Sequence, residues 1–293
     1  MKKFIFIFIV TLLLAIFLYN YVRLFDTSIY YKKMNNHKKK YNKDNKDILI
    51  VTFDNRKSDM LNIHNDNVSQ YCDIHKYTYV YLDKYETELN LPIYWKKIQV
   101  VKGFLEGSEY DYVMWMDSDT IILDKNIKIE SIINDKDSIY IGTDDNRSLE
   151  DKYIGANAGI FIIKNDEYGK GFLNECINNY INNPKCKDKN GNYSLGLKWA
   201  GECYEQGVMN FIINELYSSH TKILDNFLLC NTGTPVSGCF ILHLYGCGTN
   251  YKTRTNAFKN LLKNKDYYKT KMSQFLYSII ITFNFLINNQ YNK

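Results

Sequence analysis

Tyr112-Val113-Met114-Trp115-Met116-Asp117-Ser118-Asp119-Thr120-Ile121-Ile122-Leu123 is a pair of apolar runs broken by two aspartates. The first run is short and continuous, as expected for a strand buried on both faces of a sheet. Carboxylates at i and i+2 on an extended chain point to the same side. Here they stand at the carboxyl end of an expected central strand, the edge at which α/β sheets hold ligands. Two carboxylates at close range repel unless a cation lies between them, so a divalent metal is their natural partner. Such a metal can hold a diphosphate and neutralise its charge as it leaves. A chain with 32 Asp and Glu produces other D-x-D triplets by chance, Asp135-x-Asp137 among them. The apolar runs on both sides distinguish Asp117 and Asp119 from a solvated turn.

Working outward, Ile48–Phe53 reads as a buried strand ending at Asp54-Asn55. A helix is expected over residues 66–75 and a second strand over 77–82. Across residues 94–106, Trp95, Ile98, Val101 and Leu105 recur at helical spacing. Further apolar runs occupy 138–142 and 159–163. Strand, helix, strand, helix, strand in the first half predicts an α/β fold with a mostly parallel sheet.

The ends of the chain have a different composition. Residues 4–22 carry no charge and are long enough to cross a hydrocarbon core of about 30 Å as a helix. A cleaved signal peptide would want small residues at its cleavage site, and Tyr19, Asn20, Tyr21 and Val22 offer none, so an uncleaved anchor is expected. Lys2 and Lys3 face Arg23, Lys32 and Lys33 across it, so charge counting is close to a tie on orientation. The organisation read from sequence is a tip and anchor over 1–22, a polar stem over 23–46, one α/β domain over 47–268 and an apolar tail over 269–293. The apolar stretch at 275–287 is short for a span and is expected to pack on the domain, with a second membrane crossing or a membrane-surface helix as the alternatives. The 26 Tyr and 16 Phe exclude global disorder, and 15 Gly with 3 Pro exclude a collagen-like chain. The net charge of +5 comes largely from Lys32, Lys33, Lys38, Lys39 and Lys40 in the stem, so nucleic acid is not an expected partner.

The cysteines, at 72, 176, 186, 203, 230, 239 and 247, form no C-x-x-C pair. Cys239, His243 and Cys247 with Cys72 and His75 can be drawn as a metal cluster, but the spacing is not that of a zinc finger; buried thiols or disulfides are expected. Sequons at Asn67, Asn146 and Asn192 permit a lumenal domain.

Several motifs in order carry a more specific resemblance. Trp95-Lys96-Lys97-Ile98 followed by Tyr112 through Asp119 resembles the core of the GT-A glycosyltransferases of family 34, the galactosyl-, xylosyl- and mannosyltransferases of fungal and plant Golgi. Asn67-x3-Tyr71-Cys72-x2-His75-x-Tyr77 is similar to the family's helix after the first strand. Ile154-Gly155-Ala156-Asn157-Ala158-Gly159-Ile160-Phe161 resembles its N-[TA]-G-x-F block, Glu205-Gln206 its acidic-Gln pair, and His243-Leu244-Tyr245-Gly246-Cys247 its H-x-x-G-C end motif.

The resemblance implies a Rossmann-like GT-A domain that binds a nucleotide diphosphate sugar and retains anomeric configuration. It implies that Asp117, Asp119 and His243 ligate Mn²⁺ or another divalent cation, a donor set that suits manganese better than magnesium. Thr52, Lys97, Ser118 and Gly246 would contact the nucleotide sugar. Asn157 and Gln206 would be the catalytic pair in the donor-sugar pocket, with Gln206 stabilising the oxocarbenium-like transition state. The implied activity is transfer of galactose or xylose to a saccharide or glycoprotein acceptor by a single-pass membrane protein, its catalytic domain in the Golgi or ER lumen. Self-association or pairing with a related chain is left open.

The chain also departs from the pattern. Gly248 and Asn250 stand where the family often has Lys and a second Cys, which leaves Lys252 or Arg254 to meet the phosphates. Tyr204-Glu205 replaces an acidic pair, which puts donor and acceptor choice in question. An inverting enzyme of another family would need a carboxylate base, with Glu205 or Asp144 as candidates. A catalytically silent, membrane-anchored sugar-binding protein would have lost the metal motif, which is intact here.

Overall fold

A computed structural model describes residues 46–87, 89–143, 155–224, 228–230, 239–245 and 251–263. Among these, nine strands form two sheets. The larger has the order β2-β1-β3-β6-β5-β7 and the smaller β4-β9-β8. Its strands are β1 (Ile48–Phe53), β2 (Thr78–Leu82), β3 (Tyr112–Met116), β4 (Thr120–Ile122), β5 (Ile139–Thr143), β6 (Ala156–Lys164), β7 (Thr221–Leu224), β8 (Leu229–Cys230) and β9 (Ile241–His243). The helices are α1 (Asp59–His75), α2 (Lys96–Gly107), α3 (Glu167–Asn182), α4 (Glu205–Ile212) and α5 (Tyr251–Lys263).

The α/β reading holds, but the sheet is mixed rather than mostly parallel. β1 pairs parallel with β2 and β3, and β5 with β7, whereas β6 runs antiparallel to both β3 and β5. An unbroken buried run such as residues 156–163 of β6 has the same hydrophobic pattern in either direction. Strand alternation sorts the two cores. Leu49, Val51, Val113 and Trp115 face α2, α3 and α4, while Ile48, Ile50, Met114 and Met116 face α1 and the smaller sheet.

Helix α1 begins at Asp59, a full two turns before the expected start. Ser58 caps it by accepting from the Leu61 amide, and Lys76, at φ 65°, closes it by donating its N–H to the Cys72 carbonyl. Met60 in the first turn is buried against Leu242, Leu244, Phe258 and Leu261 from distant parts of the chain. The Asn-x3-Tyr-x3-His-x-Tyr pattern on this helix is a row of staples for the segment after Asp119. The Asn67 amide donates to the Ile122 carbonyl at 3.0 Å and accepts from the Ile122 N–H at 2.7 Å. The Tyr71 hydroxyl donates to Ile127 O, His75 Nε2 lies 2.7 Å from Lys125 O, and the Tyr77 hydroxyl bonds Glu130. Buried and doubly bonded, Asn67 cannot carry a glycan in the folded chain, whereas Asn192 is exposed.

Among the described residues, the cysteines follow the expected pattern of disulfides and buried thiols. Cys186 and Cys203 form a disulfide, Cys239 is disulfide-bonded, and Cys72 and Cys176 are buried free thiols. The alternative Cys/His metal cluster is thereby excluded. Among the described residues no helix is long and apolar enough to cross a membrane. The anchor expected over 4–22, nearly all of the stem and the apolar stretch at 275–287 lie outside the described residues.

Candidate active site

The carboxyl ends of β1 and β3 and the start of β4 open onto one cleft of about 680 Å³. Backbone pairing fixes the two aspartates at its floor. The Asp117 amide donates to Gly159 O at 2.8 Å, and the Leu244 amide donates to Asp119 O at 2.9 Å. The antiparallel register of β4 and β9 sets His243 opposite Thr120, directly beside Asp119. Ligand atoms of Asp117, Asp119 and His243 consequently lie within 4.8 Å of one another. Two carboxylate oxygens and an imidazole nitrogen at that separation could hold a single divalent cation.

Each aspartate is oriented by its own partners. Trp115 Nε1 donates to Asp117 Oδ1 at 2.6 Å, and Lys97 Nζ lies 3.1 Å from the same oxygen. Arg254 Nη1 donates to Asp119 Oδ2 at 2.8 Å, and His243 Nε2 is 3.1 Å from Asp119 Oδ1. Burial drives the Asp119 pKa up, but the His243 contact and the Arg254 charge outweigh it and hold the carboxyl well below the usual range. Lys97 is buried beneath Asp117. It also lies 3.2 Å from Glu205 Oε1 and donates to Ala158 O at 3.1 Å. Its burial would favour the neutral amine, yet Asp117 and Glu205 raise its pKa above the ordinary lysine value. Burial raises the pKa of Glu205 more than Lys97 lowers it.

At the β1 end of the cleft, Arg56 grips Asp54 through two hydrogen bonds of 2.9 Å, and the Ser118 hydroxyl donates to the same carboxylate. Burial opposes ionisation of Asp54, but these bonds prevail and lower its pKa.

A sequence model of the galactosyl transferase GMA12/MNN10 family matches residues 41–254. The chain belongs to that family. It is 26% identical over 109 residues to galactomannan galactosyltransferase 1 of Cyamopsis tetragonoloba, a match spanning 36% of this chain and a quarter (25%) of that relative. A solved glycosyltransferase involved in glycosylation of the major capsid of PBCV-1 superposes with a TM-score of 0.52 at 14% identity, covering 73% of this chain and 99% of that one. This likeness is one of fold, and the fold is GT-A-like, an α/β glycosyltransferase architecture with a mixed sheet.

In this GMA12/MNN10 family member, most residues singled out from sequence converge on the cleft. Asp117, Asp119, His243, Lys97 and Ser118 line it, as do Asn157 and Gln206. The Asn157 side chain accepts from the Gly159 amide at 2.8 Å, and Gln206 Oε1 accepts from the Ala158 amide at 3.1 Å, so both are braced against β6. Thr52 is not brought into the cleft. It is fully buried one layer below, with its hydroxyl 2.8 Å from His64 Nε2 and 2.9 Å from Met116 O. There it links the ends of β1 and β3. Gly246 and Asp144 lie outside the described residues.

Asp54, Arg56, Tyr94 and Trp199 also line the cleft and were not singled out. Asp54 had a usable signal, since it follows a buried strand just as Asp117 does. Trp199 had none, because it sits in an irregular segment of the chain.

Gly159 explains how His243 comes so close. A Cβ at this position would stand 2.0 Å from His243 Cε1, so only glycine leaves room for the ring. Gly159→Ala is expected to push the imidazole off the cluster and, where the cluster holds a divalent cation, to weaken that binding by about 10- to 100-fold. Calorimetric titration with Mn²⁺ measures this, and wild-type affinity in the variant would show that the contact does not position His243.

Proposed function

We propose that this protein is a metal-dependent, retaining glycosyltransferase that moves galactose, or failing that xylose, from a nucleotide diphosphate sugar to a saccharide acceptor. The observation carrying the reading is the Asp117-Asp119-His243 cluster at the floor of a cleft at the strand ends of a GT-A-like fold. The family description and the matched relative's name, galactomannan galactosyltransferase 1, support galactose. A divalent cation, Mn²⁺ in this proposal, would be held by Asp117, Asp119 and His243 and would supply positive charge to the departing diphosphate.

The other roles belong to the chain's own side chains. Arg254, already at Asp119, presents a guanidinium to the same region and takes the place of the family lysine that Gly248 lacks. Asp54, Arg56 and Ser118 form the polar end of the cleft that would receive the nucleoside. Lys97 is a positioning residue that holds Asp117 and Glu205 together from below. Gln206 lines the cleft with a neutral amide, able to stabilise positive charge at the anomeric carbon. Of the two carboxylates an inverting mechanism would recruit, Glu205 is buried and ion-paired with Lys97, which argues against its acting as the base. Anchoring through residues 4–22, with the domain in the Golgi or ER lumen, completes the proposal.

The purified full chain, given UDP-galactose, UDP-xylose, UDP-glucose and GDP-mannose, is expected to release nucleotide with Mn²⁺ and to stop in EDTA. Anomeric NMR of the product is expected to show retention. A folded protein that releases nucleotide from no donor would remove the transferase reading, and equal rates in EDTA would remove the metal.

A further inference from the structure

Two exposed aromatic rings, Tyr94 and Trp199, stand at one mouth of the cleft, backed by the partly buried ring of Tyr204. Tyr94 and Trp199 are 5.5 Å apart edge to face, Trp199 and Tyr204 are 4.8 Å apart, and Tyr94 and Tyr204 are 5.4 Å apart. Yet Trp199 is 66% exposed, Tyr94 is 37% and the adjacent Ile93 is 50%. Ile93, Tyr94 and Trp199 line the same cleft as Asp117, Asp119 and His243.

This cluster is held rigidly. The Cys186–Cys203 disulfide ties down the chain just before Tyr204. Trp95, the residue after Tyr94, is fully buried, and its indole N–H donates to Cys203 O at 3.1 Å. A Cβ on Gly207 would meet the Gly201 carbonyl at 2.0 Å, so α4 and the Ala200-Gly201 turn are in the closest contact glycine permits. The two segments carrying the rings are therefore braced against each other. Their solvent-facing surfaces contribute no packing to the fold, so their exposure calls for a ligand.

We propose that Tyr94 and Trp199, backed by Tyr204, form an aromatic subsite for the acceptor saccharide. The proposal rests on the transferase reading and names the second substrate's subsite. A pyranose has a C–H face that lies flat on an aromatic ring and a rim of hydroxyls that need polar partners. The subsite supplies the ring faces, and Gln206 and Asn157 in the same cleft supply polar groups. A lipid chain would be poorly served, because the cleft floor it would enter is lined by Asp117, Asp119 and Arg254. The nucleoside has its own polar end at Asp54, Arg56 and Ser118.

Trp199 provides its own probe. The other two tryptophans, Trp95 and Trp115, are buried, so collisional quenching of the full chain by acrylamide reports on Trp199. β-1,4-linked manno- and gluco-tetraose and α-1,6-linked mannotetraose serve as saccharide probes, with UDP as the nucleotide probe. At least one saccharide is expected to protect Trp199 from acrylamide, and UDP is not. In transfer assays Trp199→Ala is expected to raise the KM for that saccharide by about tenfold, with Trp199→Phe restoring most of the loss. Protection by UDP alone, or by none of the probes, would overturn the subsite. The quenching measurement needs neither donor nor metal, so failure of the subsite and failure of the transferase reading are separated.

Discussion

Replacing Asp119 with asparagine is expected to slow nucleotide release by about two to three orders of magnitude while the protein remains folded. Asparagine preserves the shape of the side chain and can still accept the Arg254 hydrogen bond, now 2.8 Å long. It removes the negative charge that His243 and Arg254 together stabilise against burial. A neutral amide beside Asp117 and His243 leaves one carboxylate where the proposed cation needs two. The decisive comparison pairs the rate of nucleotide release with Mn²⁺ affinity, alongside thermal unfolding followed by circular dichroism. Loss of both rate and affinity with a wild-type melting profile is the expected result. A variant that turns over at full speed would take Asp119 out of the metal site.

Lys97→Met is expected to act on stability first, costing about 3–5 kcal/mol. Methionine fills much the same volume as the lysine stem, so little packing is lost. What disappears is the ammonium lying 3.1 Å from Asp117 and 3.2 Å from Glu205. Without it, two carboxylates face each other with Glu205 buried. The readiest relief is protonation of Glu205, whose pKa burial already raises above 4.5. A carboxyl with a raised folded pKa binds its proton more tightly in the folded state, so stability is lost as pH rises through that value. In the parent, Lys97 has a folded pKa raised above 10.5, and its contribution is fully present below that pH. The stability deficit of Lys97→Met should therefore widen between about pH 5 and pH 8. Urea unfolding at both values measures it, and adding Glu205→Gln should recover much of the loss. A deficit that is the same at both pH values, or absent, would show that the Lys97 charge is not what neutralises Glu205.

The two predictions draw on different levels of information. Asp119 is visible in the sequence because two carboxylates between greasy runs have few structural explanations. Lys97 is one lysine among many on a helix, and its importance depends on Glu205, more than a hundred residues away, arriving within 3.2 Å. Thr52 shows the opposite outcome. The resemblance points to the end of β1, but alternation along β1 turns this side chain into the layer below the cleft, where it links Met116 and His64. The early start of α1 had the same origin. Its first two turns look mixed in sequence, and Met60 becomes core only because β4, β9 and α5 meet there.

Local pattern was sufficient for the α/β class, the bounds of β1 and β3 and the placement of a carboxylate pair after Met116. These depend on alternation and burial over a few residues, and neighbours in sequence express them directly. The direction of β6, the Cys186–Cys203 pairing, the Arg254 contact with Asp119 and the exposed rings around Trp199 emerged only from the folded chain. A hydrogen bond or ion pair requires atoms about 3 Å apart, and for groups remote in sequence that distance is set by how strands, helices and loops pack.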